Sequence, residues 1–170
     1  KSMLIKKIME NISKVILLTR PRRFGKTLNF SMLKYFFEIP ECRQMENEDR
    51  DYKYLFKGLD ISKEEDLMNN HQGKYPIIEL SFKKVKAEKW EYASLAFKEE
   101  IANEYIRHRY LLNGDELLDF QKNKYRKIMS QEAEIFSYTS AIADLSKFLK
   151  NYYNKKVIVL IDEYDTPLHY

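Results

Sequence analysis

One stretch constrains this chain more than any other: Val15 to Leu28, VILLTRPRRFGKTL, an apolar run that turns through a basic loop into Lys-Thr and a helical pattern. Val15, Ile16, Leu17 and Leu18 predict a strand, and Leu28, Met32, Leu33, Phe36 and Phe37 recur at helical spacing behind the loop. A helix that starts at a tight loop directs unpaired amide N–H groups and its positive dipole end into one small space, which suits phosphate. Gly25 lets the backbone come close to a ligand. Lys26 would add a mobile positive charge for the β- and γ-phosphates, and the Thr27 hydroxyl is a candidate ligand of Mg²⁺. Arg22, Arg23, Phe24 and Leu28 complete the candidate nucleotide-binding stretch. The general pattern G-x-x-x-x-G-K-[ST] expects glycine where this chain has Arg20, so the loop departs from it.

A second signal lies near the other end. Val157 to Asp165, VIVLIDEYD, is an aliphatic run ending in carboxylates and predicts a buried parallel strand. Ligands of open α/β sheets sit at the carboxyl ends of strands. Asp162 is therefore the candidate to hold Mg²⁺, and Glu163 the candidate to orient or deprotonate an attacking water. Each motif has a structural reading: GKT after basic residues occurs by chance, and sheet strands often end in acids. The pair together, separated by a plausible crossover, favours a nucleotide site. A nuclease-type metal cluster of Asp162, Glu163 and Asp165 is the weaker alternative, since no matching acidic-x-Lys strand accompanies it.

Between these signals the pattern alternates strands and helices, which predicts a mainly parallel sheet. Lys1 to Asn11 predicts a short amphipathic helix, Lys63 to Asn70 an acidic one, and Tyr75 to Phe82 a second strand. Pro40 stops the loop helix, and Glu41 to Tyr54 predicts a polar surface connection. Three helices are expected at Trp90 to Leu112, Asp115 to Met129 and Ser137 to Tyr153, with Asn113-Gly114 as the stop of the first. No repeat or Gly/Pro-rich linker divides the 170 residues, so a single domain spanning 1–170 is expected, with a helical segment from about 90 to 153.

Composition adds little beyond this. The chain is 44% hydrophobic, enough for one core, and its 30 basic and 26 acidic residues give a net charge of +4, which does not by itself argue for nucleic acid. The basic runs Lys83 to Lys89 and Arg107 to Arg109 could touch nucleic-acid phosphates but read more simply as solvated faces. A single cysteine, Cys42, excludes an internal disulfide and a cysteine zinc cluster, so a cytoplasmic location is expected. His71, His108 and His169 lack metal-ligand spacing and receive no role. No apolar run approaches membrane-spanning length, so no membrane partner is expected.

Arg20 to Leu28, RPRRFGKTL, and Leu160 to Leu168, LIDEYDTPL, together resemble a bacterial AAA-ATPase-like family whose members often carry a restriction-endonuclease-like PD-(D/E)XK domain. KSMLIKKI, NFSMLKYFFE, LFKGLDI and HQGKYPIIELSFKKVK support the resemblance, which covers nearly the whole chain. Arg20 in place of glycine is usual for that family. The resemblance implies an α/β P-loop NTPase fold: three αβα layers with a mainly parallel sheet, incomplete at its C-terminal side, plus a helical insertion. It implies ATP and Mg²⁺ as cofactors, with Gly25, Lys26 and Thr27 on phosphate and metal, Asp162 as the metal carboxylate and Glu163 as the catalytic base. Arg20, Arg22 and Arg23 either pair with phosphate or hold the loop through carboxylates such as Asp165. The family's sensor strand, arginine finger and nuclease-like domain would follow Tyr170, so this stretch is read as part of a longer ATPase. A non-hydrolysing nucleotide switch that controls an attached nuclease-like or partner domain is the alternative.

Overall fold

The computed structural model describes residues 1–19, 24–40, 52–85 and 90–166, which gather into two units, Lys1–Tyr75 and Pro76–Tyr170. Among its described residues the first unit forms α1 (Leu4–Met9), α2 (Lys26–Phe37) and α3 (Glu65–His71), with 3-10 turns at Tyr52–Phe56 and Asp60–Lys63. Helix α2 is anchored by its C-terminal half. Leu33, Phe36 and Phe37 are buried, and Phe36 meets Phe37 and Phe56 edge-on at 5.0 and 5.2 Å. Ile5 from α1 and Ile61 from the second turn complete this core. The Lys6 ammonium pairs with Glu64 at 2.9 Å, and the Ile61 N–H donates to Ser2 Oγ.

Val15 to Leu18 do not form the expected strand. Val15 is 85% and Leu17 59% exposed, and no ladder includes residues 15–19. Aliphatic composition supplies propensity, but a strand exists only when a second backbone takes up its amide groups, and among the described residues none does.

The second unit holds β1 (Ile77–Ser81), α4 (Trp90–Arg107), α5 (Asp119–Met129), α6 (Ile135–Thr139), α7 (Ala141–Tyr153) and β2 (Ile158–Asp162). The two strands are parallel, with Ile77 opposite Ile158 and Ser81 opposite Asp162. This is an α/β fold: a parallel strand pair whose connection is a helical crossover, as the alternating pattern predicts. Strand β1 is largely buried, with Ile77, Ile78 and Leu80 in the interior. Strand β2 alternates instead, leaving Val159 and Ile161 exposed where a fully buried strand was expected. Among the described residues β2 has one strand neighbour, and Ile158 and Leu160 are half-buried while the side chains between them face outward.

The edge of β1 that faces away from β2 is closed by side chains of α4. Glu104 accepts the Glu79 N–H at 2.8 Å, Glu100 accepts the Ser81 N–H at 2.6 Å, and Arg107 and His108 both donate to the Ile77 carbonyl. A helix thus supplies the bonds that another strand would make.

The α4 core is set by Ile101, Tyr105, Tyr125, Leu145 and Leu149. Tyr125 Oη donates to the Tyr105 carbonyl and Tyr105 Oη to the Ala141 carbonyl, each at 2.8 Å, tying α5 to α4 and α4 to α7. Burial pushes both phenols well above their ordinary values, so both remain donors. Tyr105→Phe should remove the hydroxyl's bond to the Ala141 carbonyl and lower stability by about 1 kcal/mol, read as a lower urea midpoint with unchanged slope.

Helix boundaries differ from the expected ones where side chains intervene. Helix α4 ends at Arg107 rather than Leu112, because the chain tightens into a 3-10 turn at Arg109–Asn113 that buries Leu111. The helix expected from Ser137 breaks at Ser140, whose hydroxyl donates to Asp144 and accepts from Lys124. Asn154, at φ 48°, ends α7.

Candidate functional site

In the first unit the site is built on the start of α2. Gly25 sits at φ 74°, a left-handed conformation that lets the chain turn sharply into the helix. Its carbonyl accepts the Asn29 N–H at 3.0 Å, the first bond of the helix. The N–H groups of Lys26, Thr27 and Leu28 therefore face outward with no intrahelical acceptor. Among the described residues no side chain caps this end and no acidic residue occupies the first turn to offset the positive pole. Ser31 Oγ donates to the Thr27 carbonyl at 3.0 Å, leaving the Thr27 hydroxyl itself outside any bond among the described residues. Phe24, Thr27 and Leu28 are exposed, and Gly25 and Lys26 half-buried. Arg20, Arg22 and Arg23 lie outside the described residues, as do Cys42 and His169.

In the second unit the acids stand at the carboxyl end of β2. Asp162 closes the strand, and its Oδ1 accepts the N–H of Glu163 at 3.0 Å. Glu163 adopts φ 53°, an unusual conformation for a residue with a side chain, at a cost of about 1–2 kcal/mol. The Thr166 N–H closes the turn on the Glu163 carbonyl. The strand therefore ends in a bent, strained step, the kind of backbone found where side-chain aim matters.

A hydroxyl at Thr27 and a carboxylate at Asp162 are hard oxygen donors. Each, within its own unit, is of the kind that Mg²⁺ takes from a protein. Among the described residues no three His, Cys, Asp or Glu side chains gather into a metal group, so Asp162, Glu163 and Asp165 do not form the nuclease-type cluster.

Sequence patterning missed one polar constellation. Glu104 and His108 are buried and Arg107 nearly so, although Arg107 to Arg109 read as a solvated face. Glu104 Oε1 accepts from Arg107 at 2.5 Å and from His108 at 3.3 Å. Burial raises the Glu104 carboxyl, but the bonds from His108 and the Arg107 guanidinium outweigh it and hold the group at about 2. Burial pushes His108 down, so it is neutral. Its Nε2–H donates to Ile77 and its Nδ1 accepts from Tyr110, whose oxygen accepts in turn from Tyr153. The signal was present in the spacing: Glu100, Glu104, Arg107 and His108 fall on one helical face beside Ile101 and Tyr105.

These features define an α/β protein with a parallel sheet, an uncapped helix entered through glycine, and a strand tipped with acids. The family model described as a predicted AAA-ATPase matches residues 1–170, and the chain belongs to that AAA-ATPase-like family. No curated protein and no solved structure matches it. Membership makes a nucleotide the implied ligand. Among the described residues no helix is long and apolar enough to cross a membrane.

Proposed function

We propose that this chain binds Mg-ATP and that the intact protein hydrolyses it. The observation that carries this reading is the uncapped start of α2, where Gly25 turns the chain and Lys26, Thr27 and Leu28 present free amides beside an ammonium and a hydroxyl. The amides and Lys26 would hold phosphate oxygens, and the Thr27 hydroxyl and the Asp162 carboxylate would each offer an oxygen to the metal. Mg²⁺, when bound, would supply charge neutralisation to the phosphates. Glu163 orients the attacking water and accepts its proton, a task that depends on placement. Arg22, Arg23 and Phe24 precede Gly25 in sequence and belong to the same candidate stretch.

Lys26→Ala tests the assignment. The variant loses one charge-assisted hydrogen bond and should bind Mg-ATP about a hundredfold more weakly by calorimetry, with an unchanged melting temperature because the side chain is not part of the core. Equal affinity in the variant and the parent would remove the α2 start from the site. In the intact protein, turnover measured with and without DNA separates two roles. DNA-stimulated hydrolysis marks a motor or nuclease regulator, whereas tight binding without turnover marks a switch.

A further inference from the structure

Helix α4 opens with an aromatic side chain that its own amphipathic pattern assigns to the interior. Trp90 precedes Phe97 by about two helical turns and so shares its side of the helix. Phe97 packs on Phe82 at 5.5 Å, and Ala93 also meets the core, yet Trp90 is 75% exposed. The helix has run past its cover. Glu100 bonds the N–H of Ser81, the last residue of β1, so the earlier turns of α4 continue beyond the carboxyl end of that strand. Tryptophan is a highly buried residue type on average, and an indole held in water asks for a ligand.

Two cations stand on the same side. The turn after β1, Phe82–Lys84, is pinned by the buried Phe82 and Val85 and leaves Lys83 and Lys84 exposed. Among the described residues neither lysine is paired with a carboxylate. In sequence, residues 83–98 hold five lysines against two glutamates, one of them Glu91 beside Trp90, so most of the net charge of +4 falls in this stretch. The surface therefore attracts a polyanion. We propose that it binds single-stranded nucleic acid, with a base stacked on the Trp90 indole and backbone phosphates on Lys83 and Lys84. Every base has a π-face, so such stacking is tolerant of sequence, and the lysines meet phosphate as point charges. A duplex keeps its bases stacked on one another, and an acidic peptide brings charge without rings. The site lies wholly in the second unit and uses none of Gly25, Lys26 and Thr27.

Trp90 is the single tryptophan of this chain, so its fluorescence reports on this surface alone. In low-salt buffer without nucleotide, oligothymidylate and oligouridylate about twelve nucleotides long should quench it as they bind, and the tighter of the two identifies the preferred sugar. Duplex DNA and oligoglutamate of matched length should bind at least tenfold more weakly. By anisotropy of a labelled strand, Trp90→Ala should weaken binding about tenfold, and Trp90→Phe, which keeps a ring, should restore most of it. Replacing both lysines, Lys83→Ala with Lys84→Ala, should flatten the slope of log affinity against log salt by about 1.4. Tyr92→Ala removes a ring that is also exposed but lies about 200° round the helix from Trp90, and should change affinity less than twofold. All of these side chains are exposed, so each variant should keep the parent's circular dichroism spectrum. Absence of quenching by both strands, equal binding of duplex or oligoglutamate, undiminished affinity in Trp90→Ala, or as large a loss in Tyr92→Ala would each overturn the proposal.

Discussion

Glu163→Gln should leave Mg-ATP bound within about twofold of the parent affinity while turnover of the intact protein drops about a hundredfold to ten-thousandfold, the range of a lost general base. Glutamine matches the carboxylate in shape and can occupy the same φ of 53°, so the bend after Asp162 and the Asp162 hydrogen bond to the following amide are retained. What disappears is the proton acceptor. A fall in turnover without a fall in affinity is the signature of a group that acts on the reacting water rather than on the ground-state nucleotide. Phosphate release at saturating Mg-ATP reads the first quantity and calorimetry the second. Unimpaired release would take Glu163 out of the mechanism.

Glu104→Ala should lower stability by about 3–5 kcal/mol, because it takes away the buried carboxylate that the Arg107 guanidinium, the Glu79 amide and His108 all bond. That is a large part of the stability of a typical domain. The same constellation gives stability a pH dependence with a definite sign. Glu104 titrates at about 2 in the fold against about 4.5 as a free side chain, so its contribution is complete above about pH 4.5 and is lost as pH falls toward 2. His108 is also depressed by burial, so the unfolded chain takes up its proton first and stability begins to fall as pH drops below about 6.5. Urea midpoints at pH 7, 5 and 3 should decline in the parent. In Glu104→Gln, a milder variant that still folds, the decline between pH 5 and 3 should shrink. Parallel declines in the two proteins would show that Glu104 does not carry the acid sensitivity.

The local chemistry of the site was legible in the chain. FGKT followed by residues at helical spacing forces a glycine turn into an uncapped helix, because only the near-neighbour backbone is involved. The aliphatic run into Asp162 and Glu163 likewise forecast a strand with acids at its carboxyl end, and the apolar stretch after Pro76 forecast β1. The family resemblance was carried by these same local motifs and is matched over residues 1–170.

Other features depended on residues far apart in sequence. Val15 to Leu18 have strand composition, yet pairing decides strand formation, and propensity cannot supply a partner. Val159 and Ile161 look like core and are exposed, because burial depends on what covers each face of β2. Arg107 and His108 look like surface charge and are buried, because Glu104 and the carbonyl of Ile77 complete their hydrogen bonds. The strained φ at Glu163 has no marker in residue order. Sequence alone determined the glycine-entered start of α2 and the acids that end β2, since these follow from side-chain chemistry and local backbone. Tertiary structure alone decided which of the remaining groups are buried, paired or open to a ligand, since burial and pairing are made by contacts between distant segments.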